Sequence, residues 1–117
     1  MLIGQTVIAP NGAPAVYYSP WYPRRGDALI GVVQFLNKSG TVAITCQMQT
    51  KDMEQPDTGA AALGASFSVG TGTNGAATAS PTKLAGSLEL VRYQITVQGT
   101  GLQWVHLRIN NPMWLPN

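Results

Sequence analysis

The chain has 117 residues, of which 44% are hydrophobic and only 10% are charged. This length predicts a single domain, residues 1–117, and the hydrophobic fraction is enough for a core. The low charge and the many β-branched residues argue against a disordered chain. The net charge is +2 and no basic cluster exists beyond Arg24-Arg25, so the sequence predicts no nucleic-acid partner.

No segment of the sequence predicts targeting or a membrane. Met1–Pro10 has no basic region and no long apolar run, so we expect no signal peptide. No apolar run reaches the length of a membrane span, and no membrane partner is predicted. Cys46 is the only cysteine, which excludes an internal disulfide. We therefore expect a protein that is made and folded in a cytoplasm.

The first part of the chain alternates strand patterns with proline and glycine turns. Leu2–Ala9 predicts a strand that ends at a Pro10-Asn11-Gly12 turn, and Ala15–Tyr18 is short and aromatic. Ser19–Gly26 predicts a stiff extended loop, because proline fixes φ and removes a hydrogen-bond donor. Ala28–Leu36 is almost continuously apolar, which predicts one buried central strand.

The middle of the chain begins with a turn at Asn37–Gly40 and a strand of alternating pattern. The predicted inward side chains of that strand are Val42, Ile44, Cys46 and Met48. Because a turn joins it to the preceding apolar run, the two strands predict a hairpin. Lys51–Ala60 is a polar loop, Ala65–Val69 a short strand, and Gly70–Ser80 a loop with a marginal strand near Ala76–Ala79.

The last part has the clearest pattern, with a two-residue hydrophobic period on both sides of Gly99–Gly101. The predicted inward side chains are Val91, Tyr93, Ile95, Val97, Val105, Leu107 and Ile109. The glycines can adopt the positive φ of a tight connection, so the two strands predict a second hairpin. Seven to eight strands without a helical period predict an all-β fold, an antiparallel β-sandwich or jelly roll.

Three glycine-rich or acidic motifs favour ordinary structure over chemistry. Gly70–Gly75 fits the dinucleotide pattern G-x-G-x-x-G, but it lacks the strand and helix that give that pattern meaning. Arg25-Gly26-Asp27 is the triplet that integrin ligands display, and a turn explains it better. Asp52, Glu54 and Asp57 crowd one loop without EF-hand spacing, so they predict a solvated acidic loop.

The remaining candidates for chemistry are one histidine and one cysteine. His106 has no cysteine or second histidine near it in sequence, so a zinc site lacks ligands. A Ser-His-Asp arrangement stays open, because its members meet in space and not in sequence, but the pattern favours an ordinary strand histidine. Cys46 lies on the apolar face of a strand pattern, which predicts a core residue. We therefore predict no catalytic residue, no metal and no cofactor, and we expect that the protein is not an enzyme.

Large aromatic, apolar and basic side chains predict the partner-binding surface. The predicted contacts are Tyr17, Tyr18, Trp21, Tyr22, Arg24, Arg25, Trp104, Met113, Trp114 and Leu115. Aromatic groups of this kind form sugar-stacking platforms or anchor protein interfaces. The C-terminal tail favours the interface, because Pro112 cannot continue a sheet ladder on its donor side. The tail is therefore predicted to leave the sandwich, and its tryptophan either folds back or docks on a neighbouring molecule. Of these two, docking is the hypothesis that we favour.

Four segments carry a resemblance to a known family. Pro-Arg-Arg-Gly-Asp-Ala at 23–28, Leu-Val-Arg-Tyr-Gln-Ile-Thr-Val at 90–97, Trp-Val-His-Leu-Arg at 104–108 and Pro-Met-Trp-Leu-Pro at 112–116 resemble capsid decoration, or cement, proteins of tailed bacteriophages. The middle, Asp52–Ala85, departs from this pattern. The resemblance implies a β-rich homo-oligomer, with a trimer favoured, on the outer surface of the virion. It also implies binding to the major capsid protein and bracing of the shell against internal DNA pressure.

An alternative function remains open beside the resemblance. The chain could be a carbohydrate-binding β-sandwich module of a phage fibre or an adhesin. That function would require exposed, coplanar aromatic rings and a polar groove. The position of the aromatic side chains in the fold discriminates between the two functions.

Overall fold

The computed structural model describes residues 2–8, 15–39, 41–80, 82–99 and 104–116. They form thirteen strands and one short 3-10 turn at Asp57–Gly59. The strands are β1 (Leu2–Ile8), β2 (Ala15–Tyr18), β3 (Tyr22–Pro23), β4 (Ala28–Ile30), β5 (Val32–Lys38), β6 (Val42–Lys51), β7 (Ala61–Ala62), β8 (Phe67–Val69), β9 (Ala77–Ala79), β10 (Leu84–Ala85), β11 (Leu90–Gly99), β12 (Val105–Asn110) and β13 (Met113–Leu115). The all-β prediction is confirmed, and the strand number is higher than predicted because several segments span only two or three residues. Within these ranges no helix is long and apolar enough to cross a membrane.

The strands pair antiparallel in three sheets. The largest has six strands, with β11 between β2 and β6, β7 beyond β6, and β3 and β8 as additional partners of β11 and β6. A four-stranded sheet has the order β1-β12-β5-β9, and a three-stranded sheet has the order β10-β4-β13. Inward side chains of all three sheets form one hydrophobic cluster, so the antiparallel sheets pack around a common core.

The predicted inward faces of the long strands are confirmed. In β6 and β11 the eight alternating residues from Val42 to Met48 and from Val91 to Val97 are between 0% and 5% exposed. The three predicted inward residues of β12 are buried in the same way. A register slip of one residue would have turned every one of these side chains to solvent. The two-residue period alone therefore identifies which side of each strand faces the core.

Both predicted hairpins are wrong. β11 pairs with β6, and β12 pairs with β5, so each predicted hairpin is split between the six-stranded and the four-stranded sheet. Ser39 follows β5 and Trp104 precedes β12, and two hydrogen bonds join them. The Ser39 N–H donates to the Trp104 carbonyl (3.0 Å), and the Trp104 N–H donates to Ser39 Oγ (3.1 Å). Strands that face each other across a core have the same alternating pattern as strands that pair. The pattern cannot distinguish these arrangements.

The predicted Pro10–Gly12 turn and residues 40 and 100–103 lie outside the described residues.

The predicted continuous strand Ala28–Leu36 is broken at Gly31. A Cβ atom at Gly31 would lie 2.8 Å from Sδ of Met48 and 3.2 Å from Cε2 of Tyr93, so the close packing there requires glycine. Ser80 forms two hydrogen bonds with the backbone of Gly31 at this break. Its N–H donates to the Gly31 carbonyl (2.8 Å), and its Oγ accepts from the Gly31 N–H (3.2 Å). The chain therefore passes from the three-stranded sheet into the four-stranded sheet at this residue.

The thiol of Cys46 is expected to be inert in the native protein. Cys46 is fully buried in β6, as predicted, and burial raises its pKa to about 12. Because the thiolate is the nucleophile, neither access nor ionisation permits reaction near neutral pH. Ellman's reagent at pH 8 should find no reactive thiol in native protein and one per chain in guanidinium chloride. Equal rates in both states would contradict the buried position of this residue.

Candidate interaction surfaces

An arginine lies against two aromatic rings on the outer face of the six-stranded sheet. The guanidinium carbon of Arg92 is 4.1 Å from the centroid of the Tyr18 ring and 4.4 Å from that of Trp21. Nζ of Lys51 is 4.8 Å from the same Trp21 ring. Contacts of this kind between a cation and a π-system are attractive and orient both partners. With Asp57, these residues form the arginine cluster (Tyr18, Trp21, Lys51, Asp57 and Arg92).

Asp57 connects the members of the arginine cluster. Its Oδ1 accepts hydrogen bonds from Lys51 Nζ (2.7 Å) and from Trp21 Nε1 (3.1 Å), and its Oδ2 is 3.7 Å from Arg92 Nη1. The side chain of Asp57 is 61% exposed, whereas those of Lys51 and Arg92 are only 9% and 10% exposed. Asp57 is therefore solvated, as predicted, and it also pairs with two cations. Two covered cations share one carboxylate, which leaves the cluster net positive.

The contacts of the arginine cluster predict how the pKa of Asp57 changes when its partners are substituted. The Lys51 hydrogen bond is the main cause that lowers this carboxyl pKa below its ordinary value. We expect Lys51→Met to return the pKa towards that value, and Arg92→Gln to do so by a smaller amount. Carbon-detected NMR titration of the carboxyl group measures both. Equal shifts in the two variants, or none, would contradict this order of contributions.

Because folding lowers the pKa of Asp57, the stability of the folded protein depends on pH. A carboxyl whose pKa is lowered by folding stabilises the native state above its ordinary pKa. That contribution is lost as the pH falls through the lowered pKa of Asp57. The variant Asp57→Asn should therefore show a weaker acid dependence of its unfolding midpoint than the unmodified protein.

A ladder of uncharged polar side chains continues from the arginine cluster along the same sheet. Gln94 pairs with Gln47, Thr96 pairs with Thr45, and the next rung pairs Gln98 with Ala43. The edge strand β2 places Tyr18 beside Gln94 and Val16 beside Thr96, and these two side chains are 46% and 48% exposed. We call the ladder together with Val16 and the arginine cluster the sheet face. It presents amides, hydroxyls and aromatic rings beside the three charged groups of the arginine cluster.

The C-terminal tail does not leave the sandwich. β13 pairs antiparallel with β4, so that Trp114 lies opposite Leu29, and the Leu115 carbonyl accepts from the Asp27 N–H (3.1 Å). A Cβ atom at Gly26 would lie 2.9 Å from that carbonyl oxygen, so the bend at Gly26 allows a close approach to the tail. The prediction that the tail leaves the sandwich is wrong, because the tail folds back onto its own domain. β12 ends at Asn110, and after Pro112 the chain starts a strand in a different sheet.

A cleft at this end of the molecule lies between the tail and the loop after β3. Its cavity volume is about 470 Å³, and its lining residues are Tyr22, Pro23, Arg25, Asn111, Pro112 and Trp114. Pro112 is buried, and Trp114 is half-buried and packs against the core. We call this feature the end cleft. Three predicted contact residues, Tyr22, Arg25 and Trp114, meet there.

The structure does not bring the predicted contact residues into one surface. Tyr17 is half-buried against the core, and Tyr22 is a core residue whose ring lies edge-to-face on Tyr93 (6.1 Å between centroids, 85° between planes). Tyr22, one of the predicted contact residues, is therefore buried in the core. Arg24 fixes its own loop, since its Nη1 donates to the Ser87 carbonyl (3.0 Å) and its Nε to the Gly26 carbonyl (2.8 Å).

The other predicted contacts lie in separate regions of the surface. Tyr18 and Trp21 belong to the sheet face. Trp104 is exposed elsewhere, where its backbone is hydrogen-bonded to Ser39. Met113 is exposed on β13, while Leu115 is half-buried there. Lys51, Arg92 and Asn111 also belong to these surfaces, and they are not among the residues predicted from the sequence. The alternation of β11 places Arg92 on the outer face, and this signal could have identified it.

The described residues hold no group of three His, Cys, Asp or Glu side chains that could bind a metal ion. His106 is half-buried in β12, opposite Val7 of β1 and Asn37 of β5. The absence of catalysis and of a cofactor stays a prediction.

Comparison with protein-family models, with curated proteins and with solved structures finds no match to this chain.

Proposed function

We propose that this protein is a structural, partner-binding protein of the capsid-decoration type. It binds the major capsid protein on the outer surface of a phage head through the sheet face and stabilises the shell. The observation that carries the proposal is the ordered Tyr18–Arg92–Trp21 contact beside an uncharged polar ladder. The resemblance of the four sequence segments to cement proteins supplies the identity of the partner.

The order within the arginine cluster favours binding of a partner. Arg92 is held by both aromatic rings, and its Nε donates to Gln49 Oε1 (2.8 Å). Gln94 Nε2 donates to Tyr18 Oη (3.3 Å), which fixes the exposed ring at the sheet edge. Side chains that are already ordered lose little entropy when a partner binds. Tyrosine, tryptophan and arginine are also the residues in which interface energy concentrates.

The polar ladder suits a broad interface on a shell. Its glutamines and threonines supply donors and acceptors, and they cost less to remove from water than charged groups do. The low overall charge of the chain agrees with a large covered surface. Enclosure in a homo-oligomer, with a trimer favoured, belongs to the same proposal and is supported by the resemblance. The alternative, a sugar platform on Tyr18 and Trp21, is disfavoured because Arg92 covers a face of each ring.

Co-sedimentation with phage heads tests this proposal. Heads of the phage that encodes the chain, prepared without this protein, should bind it stoichiometrically. Tyr18→Ala should weaken binding about tenfold or more, because the ring is an exposed anchor. Met113→Ala is the matched control, since Met113 is exposed on a different sheet. Protein that stays in the supernatant, or a loss with Met113→Ala alone, would contradict the proposed face. Sedimentation velocity measures the oligomer.

A further inference from the structure

The end cleft has the size and composition of a small-ligand site. Its volume of about 470 Å³ lies within the range of roughly 300–1,000 Å³ that is usual for ligand pockets. The rings of Trp114, Pro23 and Pro112 give it apolar walls. Arg25 and Asn111 are its polar side chains besides Tyr22, and none of the six lining residues is acidic. A cleft of this composition favours a ligand with an apolar face and a negative charge.

Tyr22 lines the cleft as a buried aromatic residue. It is only 8% exposed, and its hydroxyl oxygen has almost no accessible surface for a ligand. Burial raises the pKa of this hydroxyl, and a contact with the Ser19 side chain lowers it by a smaller amount. The polar contacts to a ligand therefore come from Arg25 and Asn111.

Arg25 differs from its neighbour Arg24 in its contacts. Arg24 is bound to two backbone carbonyls and forms an ion pair with Asp27 (3.5 Å). Arg25 is exposed and lines the cleft, and it forms no ion pair within the described ranges. A guanidinium binds a carboxylate with two parallel hydrogen bonds. Arg25 is therefore available to pair with an anionic group of a ligand.

We propose that the end cleft binds a carboxylated sugar, a hexuronic acid residue. The Arg25 guanidinium pairs with the carboxylate, and the Trp114 ring packs against the apolar face of the pyranose. The Asn111 amide forms a hydrogen bond with a sugar hydroxyl. Free phosphate would satisfy Arg25 alone, whereas this ligand also uses the aromatic wall and the Asn111 amide. The site is separate from the sheet face and is independent of the proposed decoration function.

NMR titration of the full-length protein tests the proposal. The probes are D-galacturonate and a galacturonate trimer, with galactose as the neutral control. The three tryptophans serve as internal reporters, because only Trp114 lines the cleft. Galacturonate should shift the Trp114 indole signal, whereas the signals of Trp21 and Trp104 should stay in place. A trimer that binds more tightly than the monosaccharide identifies a glycan as the source of the sugar, and equal affinities identify the free sugar acid.

Two substitutions separate the contributions. Arg25→Gln should weaken galacturonate binding about tenfold or more, because it removes the charge-assisted pair. Lys38→Gln removes the same charge at the far end of β5, outside the cleft, and should leave binding unchanged.

Several results would overturn the sugar site. These are equal binding of galactose and galacturonate, binding that survives Arg25→Gln, and the absence of any Trp114 shift at high sugar concentration. An acidic proline-rich peptide that shifts Trp114 while the sugars do not would assign the cleft to peptide recognition instead. Heads that bind the Arg25→Gln variant normally would show that decoration does not depend on this cleft.

Discussion

Tyr93→Phe should lower the free energy of unfolding by about 1–3 kcal/mol, which is the usual cost of leaving buried groups unpaired. The Tyr93 hydroxyl accepts from the Val32 N–H (3.1 Å) and donates to the Asn110 carbonyl (2.9 Å). Tyr93 belongs to the six-stranded sheet, whereas Val32 and Asn110 belong to the four-stranded sheet. One hydroxyl therefore ties the two sheets together, and phenylalanine leaves both backbone groups without it.

Tyr93→Ala should cost more, about 3–5 kcal/mol, because it also removes a fully buried ring. That ring packs edge-to-face on Tyr22 and contacts the Gly31 break. Urea denaturation followed by circular dichroism measures both variants. Tyr17→Phe is the matched control, since Tyr17 is half-buried and should change stability by less than about 0.5 kcal/mol. Equal stability of Tyr93→Phe and Tyr17→Phe would show that the bridge between the sheets contributes nothing.

The same hydroxyl predicts an alkaline limit to stability. Burial is the main cause that raises the pKa of Tyr93 far above the ordinary value of 10.0. Stability from a group with a raised pKa is fully present below its unfolded pKa and decreases as the pH rises towards its folded pKa. The unmodified protein should therefore lose stability above pH 10 more steeply than Tyr93→Phe does.

Removal of residues 112–117 should destabilise the domain by about 3 kcal/mol or more, on the scale of losing a large packed side chain. β13 pairs with β4 along three residues, and it covers a strand in which Ala28 and Leu29 are almost fully buried. Trp114 packs against the core. Loss of the strand exposes these groups and leaves the N–H and C=O groups of one edge of β4 unpaired. The truncated chain is expected to unfold at a much lower urea concentration.

Two point substitutions test the tail without removing backbone pairing. Trp114→Ala should cost about 2–3 kcal/mol, less than a fully buried tryptophan because this one is half-exposed. Met113→Ala should change stability by less than about 0.5 kcal/mol, since Met113 is 54% exposed on the other face of the same strand. A truncated protein with an unchanged urea midpoint would show that β13 is a passive end.

The sequence alone determined which side of each long strand is buried. Val42, Ile44, Val91 and Ile95 alternate with polar residues, and side chains of a strand point alternately to its two faces. This local rule acts on each strand independently of its partners. The sequence also identified the all-β class and the strands β1, β8 and β9.

Only the tertiary structure decided which strands pair and which side chains meet. Alternation is the same for a strand that pairs with its successor and for one that faces it across the core, so both hairpin predictions failed. The arginine cluster joins Trp21 to Arg92 across 71 positions of sequence, through β3 and β11, and no local pattern encodes that distance. The tail follows the same principle. Pro112 ends one ladder, but the unpaired edge of β4 that receives Trp114 exists only after the sheets have formed.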